Sequence, residues 1–157
     1  PDNATPAARQ DLLASLSAAL AIADETGMTL GIEPEPASVV ANARLARDLL
    51  DELGHPRLKI VFDPANILAG DRDRPPTDVL DDAIALLGPD IVIAHGKDLD
   101  ADGEFCAAGL GIVPWEHCFT HLREAGFEGP VILHSLTGAD APRAVTFLKE
   151  ALARANA

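Results

Sequence analysis

The sequence predicts an α/β fold made of parallel βα units, and three observations carry that prediction. Four short runs, MTLGIE, LKIVFD, IVIAH and VILH, are almost wholly apolar, as strands buried on both faces of a sheet must be. Between them lie segments whose apolar residues recur at three and four, the period of a helix. The runs end on Glu33, Asp63, His95 and His134, at spacings of 30, 32 and 39 residues, about the length of one βα unit. A parallel sheet brings the C-terminal ends of its strands to one edge, so these four side chains are expected to converge.

Taken in order, residues 6–26 read as a helix on Leu12, Leu16, Ala19 and Ala23, stopped by Gly27. A strand over 28–33 follows and ends at Pro34 and Pro36. The stripe Val39, Ala43, Ala46, Leu50 and Leu53 predicts the next helix, closed by Gly54. A strand at 58–63 leads to a polar loop over 71–76, in which Arg72 and Arg74 are expected to be solvated. Thr77 is the expected N-cap of a helix that runs to Leu87 and stops at Gly88. A strand at 90–95 then gives way to a long loop over 98–112. Trp115, Cys118, Phe119 and Leu122 form a helical face that ends at Gly126. A strand at 130–134 and a helix near 141–154, with Val145, Leu148 and Leu152 inward, complete the pattern.

Four parallel strands with right-handed crossovers put their helices on one face unless the winding reverses. Such a sheet leaves its other face and both edges bare. An open doubly wound sheet would cure this, as would a closed barrel whose other strands come from elsewhere. The second solution is half of a (β/α)8 barrel, about 250 residues when whole, and it is the expectation here. Residues 1–157 then form one partial barrel domain, and a chain that begins at Pro1 instead of Met is expected to lack upstream residues. Alone, it should self-associate or take up the missing half.

Composition narrows the function. The chain has 157 residues, with 12 Lys and Arg against 25 Asp and Glu and a formal charge of −13. That charge opposes binding to nucleic acid or to an anionic membrane surface. A small anionic substrate remains compatible if a metal or a local basic group sits in the site. No apolar run approaches the roughly 20 residues of a membrane span, and no signal peptide pattern is visible. Cys106 and Cys118 lack metal-knuckle or redox spacing and are expected to be reduced thiols in a cytoplasmic protein.

The candidate site residues each have two readings. Glu33 closes an apolar strand, where an unpaired charge is costly to bury, so it needs a metal or an Arg partner. Glu35 lies on the same face if the extended chain continues, facing substrate or solvent. Asp63, before Pro64, is a ligand or the cap of a short turn. Asn66 offers an amide to a substrate oxygen or is a turn residue. His95 opens His-Gly-Lys-Asp at a strand exit and reads as a neutral imidazole ligand. Lys97 supplies positive charge to a substrate or forms a surface pair with Asp98. His134 is a fourth ligand or an acid–base group. Two carboxylates and two imidazoles suit Mn, Fe, Zn or Co better than Mg. His117 and His121 have metal-binding helical spacing, but without a metalloprotease Glu they are expected to be a solvated pair. Gly109 and Gly111 could let backbone N–H groups approach an anion.

The runs GIEPEP, VFDPAN and AHGKD, a GLG-containing loop before a helix, and VILH together resemble the second half of the xylose-isomerase-like TIM barrels. This is the sugar phosphate isomerase/epimerase family, related to the apurinic endonucleases. The resemblance covers nearly the whole chain and implies the last four strands of a barrel, the first four being absent. It implies one divalent metal (Mn, Zn, Co, Fe or Mg) held by a Glu, an Asp, a His and a second Glu. Glu33, Asp63 and His95 match the first three, and His134 stands where the last Glu is expected. Asn66 stands where a substrate-contacting His often follows the Asp. The implied activity is metal-dependent isomerisation or epimerisation of a small sugar, sugar phosphate or hydroxy-keto compound through an enediolate. Glu33 would be the base, and with His134 in the opposite position the second proton transfer would fall to its imidazole or to water. Since one scaffold hosts many reactions, a metal-dependent lyase or hydrolase and a non-catalytic binding barrel are the alternatives.

Overall fold

The computed structural model describes residues 3–156 and places a parallel sheet beneath a layer of helices. Helix α1 (Pro6–Thr26) starts where Thr5 Oγ1 accepts the Ala8 N–H at 3.2 Å and Pro6 removes one orphan donor. It ends at Gly27, whose φ of 74° suits a residue without a Cβ. Strand β1 (Leu30–Ile32) precedes α2 (Ala43–Leu53), and β2 (Leu58–Phe62) runs into a short helix α3 (Pro64–Ala69). Next come α4 (Pro76–Leu87), a 3-10 turn (Gly88–Asp90) and β3 (Ile91–Leu99). Strand β4 (Phe105–Ala107), α5 (Trp115–Glu124), β5 (Val131–Leu133) and α6 (Ala141–Ala155) follow.

The parallel βα order that the sequence predicts is the order observed. Strands pair β1–β2–β3–β5, all parallel. In β2, Leu58, Ile60 and Phe62 are buried in the core shared with the helices, whereas Lys59 and Val61 point the other way. Register sets Gly31 beside Lys59, Val61 beside Ile93 and His95 beside Ile132. These residues therefore share the second face, where Ile132 is 46% exposed. Helices α2, α4, α5 and α6 pack in series over the first face. Among the described residues, no helix is long and apolar enough to cross a membrane.

Local interactions move several expected boundaries. The strand expected at 90–95 continues to Leu99, because residues 97–99 pair antiparallel with β4. The expected 98–112 loop is thus a hairpin followed by a turn. Its tip is set by Asp100, whose Oδ1 accepts the N–H groups of Asp102, Gly103 and Glu104. Arg72 donates to the carbonyls of Ala101 and Asp102 and so braces that tip instead of lying free in solvent. Arg74 pairs with Asp71 and Asp82. Thr77 is not the N-cap of α4: Pro75 holds that position, Pro76 is the first helical residue, and the Thr77 hydroxyl reaches Asp78. Helix α2 begins at Ala43, not near Val39, because Asn42 Oδ1 accepts the Leu45 N–H at 2.9 Å. In α6 the buried face is Ala144, Leu148, Ala151 and Ala155, leaving Leu152 43% exposed.

Asp90, just before β3, links the 3-10 turn to α2 and β2. Lys59 Nζ donates to its Oδ1 at 2.7 Å and Arg47 Nη1 to its Oδ2 at 2.9 Å. Burial works against this carboxylate, but the hydrogen bonds from Lys59 and Arg47 hold its pKa below the ordinary 3.8. A carboxyl with a depressed folded pKa contributes stability above its unfolded pKa, and that contribution is lost as pH falls through the folded value. Asp90→Asn is expected to cost about 2 kcal/mol at pH 7. Urea unfolding at pH 7 and at successively lower pH checks this, since the difference from the parent should shrink as acid protonates the carboxylate.

Candidate metal centre

Asp63 organises the site. It follows β2 in an extended conformation and caps α3, its Oδ1 accepting the N–H groups of Ala65 at 2.9 Å and Asn66 at 3.1 Å. The cap locks the carboxylate and turns Oδ2 the other way. Oδ2 lies 3.1 Å from His134 Nε2, 3.1 Å from Lys97 Nζ and 3.6 Å from His95 Nδ1. The two sequence readings of Asp63, turn cap and ligand candidate, therefore belong to different oxygens of one fully buried group.

Glu33 stands just beyond β1, with its Oε1 3.1 Å from His95 Nδ1. The same oxygen accepts the Asn66 side-chain amide at 2.9 Å. Its partners are an imidazole and an amide, not an arginine. His95 lies inside β3, and its register with Ile132 puts it on the sheet face that the helices leave uncovered. His134 directly follows β5, and its Nδ1 lies 3.1 Å from Ser135 Oγ. Ser135 itself adopts a φ of 55°. The two imidazoles meet edge to face with centroids 4.3 Å apart.

One ligand atom from each of Glu33, Asp63, His95 and His134 falls within 4.8 Å of the others. Two carboxylate oxygens and two imidazole nitrogens make a donor set suited to a borderline divalent cation. The fit is supported by Asp63 Oδ2, which collects nitrogens from two imidazoles and an ammonium. A divalent ion there would let both imidazoles stay neutral and turn lone pairs inward.

Lys97, two residues past His95 on the same face, is buried and donates to Asn66 Oδ1 at 2.6 Å. Its ammonium also lies 3.8 Å from the centroid of the Phe105 ring. A surface pair of Lys97 with Asp98 is ruled out by burial: 4% of Lys97 and none of Asp98 is exposed. Asp98 instead accepts four hydrogen bonds, from the N–H groups of Leu99, Gly109 and Val113 and from Trp115 Nε1. The Gly109 N–H is thus spent on Asp98 and is not offered to an anion. Its φ of 83°, and the Phe147 ring 2.7 Å from where a Cβ would sit, both call for glycine. Both ends of the Asn66 amide are used, toward Glu33 and Lys97. Glu35 is exposed, and its backbone forms a turn with Ser38 and Val40.

Phe105 and Ser135 are neighbours of the site that the sequence did not single out. Phe105 arrives on β4, for which D-A-D-G at 100–103 was the available turn signal. The helix after Asp63 was signalled by Asp-Pro, an acceptor followed by a residue suited to a first helical turn.

Fold and site together define a parallel α/β protein with a cation-sized carboxylate–imidazole cluster at its strand ends. The chain belongs to the xylose isomerase-like TIM barrel family, whose profile matches residues 1–151. No curated protein matches it. It is similar to a xylose isomerase domain protein from Planctomyces limnophilus, with 25% identity, a TM-score of 0.70, and coverage of 98% of this chain and 54% of that one. It is also similar to a xylose isomerase-like TIM barrel protein from Mycobacterium smegmatis in complex with magnesium, at 19% identity and a TM-score of 0.69. That match covers 96% of this chain and 53% of the other. A third is D-psicose 3-epimerase with D-tagatose from Clostridium cellulolyticum H10, at 17% identity, a TM-score of 0.64, and coverage of 83% and 52%. The chain spans about half the length of these structures.

Proposed function

We propose that the chain carries the metal-binding half of an isomerase or epimerase acting on a small sugar, sugar phosphate or hydroxy-keto compound. The observation behind this is the convergence of Glu33, Asp63, His95 and His134 within 4.8 Å at the strand ends. In this reading those four hold one divalent cation. When bound, it supplies Lewis acidity that polarises adjacent carbonyl and hydroxyl oxygens and stabilises an enediolate. Magnesium in the mycobacterial relative and a sugar in the epimerase are properties of those proteins that support the reading.

Glu33 is the proposed base. Asn66 and His95 fix one of its oxygens, leaving the other to take the proton from the α-carbon as the electron pair passes to the carbonyl. With Nε2 given to the ion, His134 would keep its one proton on Nδ1, 3.1 Å from Ser135 Oγ, and that is the proton it would return. Lys97 and Asn66 would each trade a present hydrogen bond for a substrate oxygen, and Glu35 would meet the substrate from its exposed loop.

Two measurements test this. After metal reloading, elemental analysis is expected to find about one equivalent of a Zn- or Mn-class ion fewer in Asp63→Asn than in the parent, and a difference of less than a tenth would favour a non-catalytic binding barrel. Proton exchange at the α-carbon of trial sugars is expected to fall about 100-fold or more in Glu33→Gln; dehydration without isomerisation would make the protein a lyase. His134→Glu should shift ion preference toward Mg, because a hard oxygen replaces a nitrogen. We also propose that the bare sheet face is covered in the working protein by further barrel strands. Residues 1–157 alone are then expected to self-associate, and a compact monomer by light scattering with no apolar dye binding would refute that.

A further inference from the structure

The helix layer carries a second convergent cluster, separate from the strand ends. His117 and His121 lie one turn apart on α5, and Asp81 projects from α4. Asp81 Oδ1 is 2.6 Å from His117 Nε2 and 3.6 Å from His121 Nε2. The two rings pack with centroids 4.3 Å apart, and both are only about one-third exposed, at 30% and 35%. They are held, not waving in solvent. His121 Nδ1 lies 3.4 Å from Glu124 Oε2. A carboxylate on that nitrogen favours the tautomer whose lone pair sits on Nε2, the arrangement seen behind metal-bound histidines.

We propose that Asp81, His117 and His121 form a surface site for a divalent transition ion that ties α4 to α5. One ligand atom from each of the three lies within 4.8 Å of the others. Ligand atoms around a tetrahedral zinc ion sit about 3.3 Å apart, so coordination needs side-chain shifts of about 1 Å or less. Two imidazole nitrogens and one oxygen select Zn, Co, Ni or Cu over Mg or Ca, with the remaining position taken by water. Cys118, between the histidines in sequence, is no ligand: it is fully buried, and burial together with Asp81 pushes its thiol up to about 12. The helical spacing alone reads as a solvated pair. The third ligand comes from another helix, 36 residues away, and only the fold supplies it.

Zinc alone is the probe. In imidazole NMR spectra of the chain, zinc added beyond two equivalents is expected to shift the ring signals of His117 and His121 together. Those of His95 and His134 report the strand-end site separately, so neither outcome depends on the other. His117→Gln/His121→Gln should lower zinc stoichiometry by one equivalent and shrink the zinc-induced rise in Tm, with circular dichroism unchanged. Asp81→Asn should weaken binding about tenfold or more. Unmoved His117 and His121 signals at tenfold zinc excess, or equal stoichiometry in parent and double variant, would overturn the proposal.

Discussion

Asparagine in place of Asp98 is expected to cost roughly 3–6 kcal/mol, counting two orphaned buried donors. That is a large part of the 5–15 kcal/mol typical of a domain. Each oxygen of Asp98 serves two donors: Oδ1 takes the N–H groups of Leu99 and Val113, and Oδ2 those of Gly109 and Trp115. An amide of the same shape keeps one acceptor and points an NH2 at the other pair, leaving two buried donors facing a donor. The group joins β3, the turn after β4 and the start of α5, so its loss should loosen all three together. Urea unfolding followed by far-ultraviolet circular dichroism measures the effect. Trp115→Phe, which removes one donor of the four, should cost less. A midpoint for Asp98→Asn within about 1 kcal/mol of the parent would show that the hub is not a stabilising centre.

Asp98 also shows why part of the structure was hidden in the sequence. The segment around it reads HGKDLDADGE, and two neighbouring opposite charges suggest a surface pair. Alternation along a strand sends Lys97 and Asp98 to opposite faces instead, once β3 is known to continue. That continuation depends on β4, three residues whose pairing partner gives it meaning. A strand this short carries too few side chains to announce itself by period.

The four apolar runs behave differently. Their composition alone marked them as strands and the parallel order followed from the helices between, although β1 and β5 keep one face open, with Ile132 46% exposed. The convergence of Glu33, Asp63, His95 and His134 was legible for the same reason, since strand ends of a parallel sheet share an edge. What was not legible is the wiring among them: Lys97 and Asn66 meet only because α3 forms, and α3 forms on a cap whose strength the sequence only hints at. The spacing of His117 and His121 was legible but their partner Asp81 was not, as helix packing and not periodicity sets which faces touch.

The split use of Asp63 leads to a separation-of-function result. In Asp63→Asn the side-chain oxygen can still accept the N–H groups of Ala65 and Asn66, so the cap of α3 should survive. The NH2 then replaces Oδ2, facing the ammonium of Lys97 and the rings of His95 and His134. An acceptor becomes a donor at the point where those nitrogens converge, and a cation there loses an anionic ligand. Metal affinity at the strand ends is expected to fall at least 100-fold, about 2.7 kcal/mol. The amide protons of Ala65 and Asn66 should remain protected from exchange. Competition titration with a chelator, run beside hydrogen exchange, separates the two outcomes. Unchanged affinity with an intact cap would mean that Oδ2 serves only the side chains of Lys97 and His134, and the coordination proposed for Asp63 would then be wrong.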